Sequence, residues 1–114
     1  MKDDRVYLYH IRDAIEKIVS YTVGGEESFR TNTMIHDAVI RNFEIIGEAS
    51  KKLSDDIKST YPLVPWKSMA GMRDKLIHDY FGVDLDIVWD TIQNFIPKLN
   101  AQIEEIVTMI ESSL

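Results

Sequence analysis

Four groups that could do chemistry together fall within one short stretch of this chain, RDKLIHDY: Arg73, Asp74, His78 and Tyr80. An imidazole is well suited to give and take protons near neutral pH, and a guanidinium can hold a phosphate and stabilise negative charge developing on it. That pair suffices for metal-free cleavage of RNA, in which the 2′-hydroxyl attacks its neighbouring phosphate. DNA lacks this internal nucleophile. Asp74 could orient His78 or support its helix, and Tyr80 could stack on a base, donate a hydrogen bond or accept a transferred group.

A straight helix advances about 100° per residue, so Arg73 and Tyr80, seven apart, lie almost on one line, while His78 falls about 140° from Arg73. Asp74, four before His78, shares its face. Three routes bring Arg73 and His78 together: a long arginine reaching round, a helix end frayed at His78 beside Gly82, or a second copy of the chain across a two-fold axis. On spacing alone, the plainer account is a surface arginine and a histidine complementing a helix C-terminus.

The elements around this stretch read as helices, because apolar residues recur at helical rather than alternating spacing. Asp3 or Asp4 caps a first helix with the stripe Leu8, Ile11, Ile15, Ile18, Val19 and Thr22, ended by Gly24 and Gly25. Residues 26 to 30 read as a connection. Thr31 or Asn32 caps a second, long helix with Ile35, Ala38, Val39, Ile46, Ala49 and Leu53 inward. DDIKSTYPLVP reads as one helical turn and an extended link. Pro65 opens a third helix through Trp66, Met69, Leu76 and Tyr80, ended by Gly82, and Asp84 caps a fourth. Pro97 then kinks the chain before the stripe of Leu99, Ile103, Ile106, Val107 and Ile110. The expectation is an all-α, antiparallel four-to-five-helix bundle with a Pro-kinked C-terminal helix, forming a single domain over residues 1–114.

Composition bounds the function. The chain has 45% hydrophobic and 28% charged residues, ordinary for a globular fold, and no cysteine, which removes disulfides, thiolate metal sites and thiol nucleophiles. No apolar run reaches membrane-spanning length and the N-terminus has no apolar signal core, so a cytoplasmic protein is expected, with no membrane partner. The net charge of −6 argues against a broad nucleic-acid surface. Yet residues 41 to 75 carry seven basic against five acidic groups, while residues 76 to 114 carry one against seven. An anion would bind in the middle third.

Other candidates read more plainly. His10 and His36 lack a second ligand at metal spacing, and Glu44 with Glu48 lacks the Glu-x-x-His companion of a di-iron bundle, so no metal and no cofactor are expected. Glu48 could face a cleft, and Lys51 or Lys52 could guide RNA. Asp84, Asp86 and Asp90 suit the first turns of their helix, and Trp66 and Trp89 suit packing.

The pattern Arg, four residues, His, one residue, Tyr, written by Arg73, His78 and Tyr80, resembles the signature of HepT-like toxins of the HEPN superfamily. YLYHIRDAIEKI, AVIRNFEIIGEASKKLS, YPLVPWKSMAGMRDKLIHDYFGVDLDIVW and IPKL extend the resemblance over nearly the whole chain. It implies a homodimeric helical bundle with a composite cleft between subunits, acting as a metal-independent ribonuclease toxin. Arg73 and His78 would be catalytic and Asp74 and Tyr80 supporting. A minimal nucleotidyltransferase antitoxin would silence the toxin by transferring AMP to Tyr80. The chain departs from the common pattern in carrying Asp74 where many such motifs have Asn. The alternatives are a non-catalytic helical partner of a nucleotidyltransferase, and a nucleotide-binding domain that does not cut RNA.

Overall fold

A computed structural model describes residues 3–78 and 82–113. The first helix, α1 (Asp4–Tyr21), begins where Asp3 accepts the Arg5 amide at 3.0 Å. Gly25, at φ 92°, then turns the chain, a conformation that a side chain would disfavour. The second expected helix is α3 (Thr33–Lys52), capped by Asn32, whose side chain accepts the amides of Met34 and Ile35. Between them lies α2 (Glu26–Thr31), a turn and a half where a connection was expected. Two acidic residues at its start and Arg30 at its end favour the helix dipole. Phe29 then anchors it in the core, stacked on Trp89 at 5.4 Å.

Two bonds fix the direction of packing. Ser54, just past the end of α3, donates its amide and hydroxyl to the Asp4 carboxylate at 2.9 and 2.6 Å, so the end of α3 lies beside the start of α1. Tyr9 donates its hydroxyl to Glu111 at 3.1 Å, which sets α1 antiparallel to the last helix, α8 (Ile96–Ser112). The interior between α1, α3 and α8 is filled by Leu8, Ile11, Ile15, Ile18, Val39, Phe43, Ile46, Ile103 and Ile106, all at most 1% exposed. Each such side chain stabilises the fold by about 1.5–3 kcal/mol relative to leaving it in water. Val19, placed in the first stripe by sequence, is instead 45% exposed, and Ala14 takes the inward position.

After α4 (Asp55–Thr60) the YPLVP link lies along α8, where Gln102 donates to the Leu63 carbonyl at 3.1 Å. Trp66 donates its ring N–H to the Tyr61 carbonyl at 2.9 Å, packing as expected with 8% exposure. The third expected helix is where the structure departs most from sequence reasoning. It is broken into α5 (Trp66–Ala70) and α6 (Met72–Leu76), with Gly71 closing α5 through its amide to the Lys67 carbonyl. It stops at Leu76 rather than Gly82, and the chain forms a short antiparallel pair, β1 (Ile77–His78) with β2 (Gly82–Val83), in which Ile77 pairs Val83 and His78 pairs Gly82. This extended pairing takes up backbone groups that a longer helix would have used. The helix face that carries Arg73 therefore ends at Leu76.

Asp84 caps α7 (Leu85–Asn94), accepting the amides of Asp86 and Ile87. The expected interruption at Pro97 takes the form of a break at Phe95 between α7 and α8. Pro97 has no amide to give to the Gln93 carbonyl, and it sits in the first turn of α8, where a missing N–H costs nothing. The fold is all-α, an antiparallel bundle with one minimal hairpin interposed. Among the described residues no helix is long and apolar enough to cross a membrane.

Candidate active site

Buried Met72 and Leu76 pin α6 to the core and leave Arg73 and Asp74 on its outer side. Facing them is a polar strip of α3, set at helical spacing: Glu44, Gly47, Glu48 and Lys51. The two sides enclose an open pocket of about 210 Å³. Arg73 donates Nε to Glu44 Oε2 at 3.0 Å across it, with the arginine 62% and the glutamate 26% exposed. Asp74 Oδ1 stands 4.0 Å from Arg73 Nη1 and is 89% exposed. Two cations thus share the pocket with three carboxylates.

Gly47 makes the pocket possible. A Cβ at this position would stand 3.2 Å from the Met69 carbonyl oxygen and 3.5 Å from that of Ala70. The last turn of α5 can therefore lie directly on the backbone of α3, which brings Ala70 and the start of α6 within reach of Glu44. Sequence reasoning missed both this contact and the Glu44 partner of Arg73. A glycine in the middle of a long helical pattern was the available signal.

Of the residues singled out by sequence, Arg73 and Asp74 lie together at this pocket. Glu48 and Lys51 line it as well. His78 follows α6 by two residues on β1, past the end of the helix that carries Arg73. Tyr80 lies outside the described residues. His10 and His36 pack edge-on to Tyr7 and Phe29, both with centroids 6.1 Å apart, in keeping with structural or surface roles. Trp89 packs on Phe29, and Asp86 bonds Arg30 at 2.7 Å, which ties α2 to α7.

The bundle and its interposed hairpin define a recognisable class of helical protein. Aligned over 98% of this chain and 99% of the other, they match the HEPN toxin of Shewanella oneidensis with a TM-score of 0.62 at 20% identity, a likeness of fold. That toxin was solved tri-AMPylated and in complex with an MNT antitoxin. The family model for HepT-like ribonucleases matches residues 11–106, and the chain belongs to that family, within the HEPN superfamily. A candidate RNase of Methanocaldococcus jannaschii is 45% identical over 111 residues, covering 96% of this chain and 92% of its own. A candidate ribonuclease HepT of Thermococcus cleftensis is 46% identical over 101 residues, covering 88% and 92%.

Proposed function

We propose that the chain is a metal-independent endoribonuclease toxin, acting as a homodimer on RNA and held in check by a minimal nucleotidyltransferase antitoxin. The observation that carries this reading is the placement of Arg73 at an open pocket, with His78 following five residues later on the adjoining hairpin, in a chain of the HepT-like family. Arg73 binds the scissile phosphate and stabilises the charge that builds on its oxygens. His78 takes the proton of the 2′-hydroxyl, whose oxygen attacks phosphorus. The bond from phosphorus to the 5′-oxygen breaks, that oxygen is protonated, and a 2′,3′-cyclic phosphate remains. A second copy completes the cleft with its own Arg73 and His78. The antitoxin transfers AMP from ATP to the Tyr80 oxygen, with loss of the phenolic proton and release of pyrophosphate. The added anion then occupies the phosphate site beside Arg73.

The test is to purify the chain without its partner, confirm by intact mass that it carries no AMP, and incubate it with RNA in excess chelator beside His78→Ala. Cleavage by the parent alone is the expected result. Equal cleavage by the variant would remove His78 from the mechanism. A second reading, a non-catalytic partner of a nucleotidyltransferase, draws on one observation: Arg73 is already paired with Glu44 and flanked by Asp74. No cleavage by the unmodified chain across a range of RNAs would favour it.

A further inference from the structure

A second pocket, of about 190 Å³, opens on the other side of the α3 strip, between α3 and α1. Its floor is Ile45 and Ala49, and its polar rim includes His10, Arg41, Glu48 and Lys52. Arg41 is unlike every other arginine of the chain. Arg5 bonds Asp3, Arg12 lies within reach of Asp13, Arg30 bonds Glu26 and Asp86, and Arg73 bonds Glu44. Among the described residues Arg41 has no carboxylate within ion-pair distance, and neither does Lys52, whose ammonium stands 5.9 Å from the centroid of the Tyr7 ring. In a chain with 19 acidic and 13 basic side chains, an arginine without a carboxylate partner beside a lysine at one concavity offers an anion two cations against the single carboxylate of Glu48. The exposed His10 ring adds a further N–H donor.

The pocket is also placed to matter. Glu48 lines both this pocket and the Arg73 pocket, and Lys51 and Lys52, adjacent in the chain, point one to each. We infer that the Arg41–Lys52 pocket binds a flanking phosphate of the same RNA strand whose scissile phosphate sits at Arg73. This inference rests on the proposed ribonuclease reading and names how its substrate is held. An extended strand crossing the α3 strip would keep both phosphates on cations.

The experiment compares the parent chain, an Arg41→Gln/Lys52→Gln double variant, and a Lys17→Gln/Lys98→Gln control that removes the same charge elsewhere. Each is titrated with a 2′-O-methyl RNA octamer, which cannot be cleaved, across a salt series. The double variant should bind about ten-fold more weakly, with the slope of log Kd against log salt flattened by about 0.7, the loss of one single-strand phosphate contact. The control should move little. Unchanged binding, an equal loss in the control, or parent affinity for a mononucleotide equal to that for the octamer would overturn the inference. Cleavage by the parent is scored separately. Binding that depends on Arg41 and Lys52 without cleavage would sink the ribonuclease reading and leave the subsite standing. Cleavage with unaltered binding by the double variant would do the reverse.

Discussion

Arg73 is paired with Glu44, and in the proposed reading a phosphate must compete for it. Arg73 is exposed and Glu44 half-buried, so solvent screens the pair and it contributes about 1 kcal/mol, near the range of surface ion pairs. That is small against stability but sufficient to shift affinity, because an incoming phosphate must displace a carboxylate from the same guanidinium. Glu44→Gln keeps an oxygen to accept the Arg73 Nε hydrogen bond while removing the competing charge. RNA affinity should therefore rise, by up to about five-fold, measured by anisotropy with a non-cleavable strand. A fall in affinity would mean that the glutamate charge serves to aim Arg73 rather than to compete for it. Arg73 stood out in RDKLIHDY as a cation beside an imidazole, though on spacing alone it read more plainly as a surface charge, and the phosphate role came from the family resemblance. Its partner was not legible, because Glu44 lies 29 residues away on another helix and only packing brings the two together.

Elements set the site through two glycines. Gly71 breaks what the apolar spacing of Trp66, Met69 and Leu76 reads as one helix, and Gly47 lets the resulting short α5 sit on α3. The inward residues Trp66, Met69 and Leu76 were legible because each is buried whether the helix is continuous or broken. The break was not, because periodicity survives a one-residue interruption. Gly47→Val should lower stability by about 1–3 kcal/mol, as branches forced against the Met69 carbonyl push α5 away. Gly47→Ala should be nearly neutral in thermal melts, since helix propensity returns up to about 1 kcal/mol against the tighter contact. Both should weaken RNA binding if the α3–α5 spacing shapes the Arg73 pocket.

The start of α1 carries a separate, pH-dependent element. Hydrogen bonds from the Arg5 side chain and then its amide hold the Asp3 carboxyl below its ordinary value of 3.8. A carboxyl depressed in the folded state contributes stability above its unfolded value, and that contribution is lost as pH falls through the lower folded value. Asp3→Asn should accordingly reduce the melting temperature at neutral pH and flatten its acid dependence below about pH 4. Equal acid slopes for parent and variant would show that the cap titrates without consequence for folding.

At the scale of the whole molecule, the antiparallel bundle was legible because Leu8, Ile11, Ile15, Ile18, Val39, Ile46, Ile103 and Ile106 carry helical spacing strong enough to survive local error. Under the proposed ribonuclease reading, a single chain does not specify which Arg73 works with which His78. β1 places His78 beyond the end of α6, and the composite cleft of the proposed homodimer allows Arg73 of one copy to work with His78 of the other. Complementation decides this. Arg73→Ala and His78→Ala chains, each inactive, are unfolded together and refolded as a mixture. Random pairing makes half the dimers mixed, and in each mixed dimer one of two clefts keeps both an intact arginine and an intact histidine from opposite subunits. Activity should return to about a quarter of the parent value under that pairing. If each subunit instead used its own two residues, every cleft in every mixed dimer would lack one of them and the mixture would stay as inactive as its components.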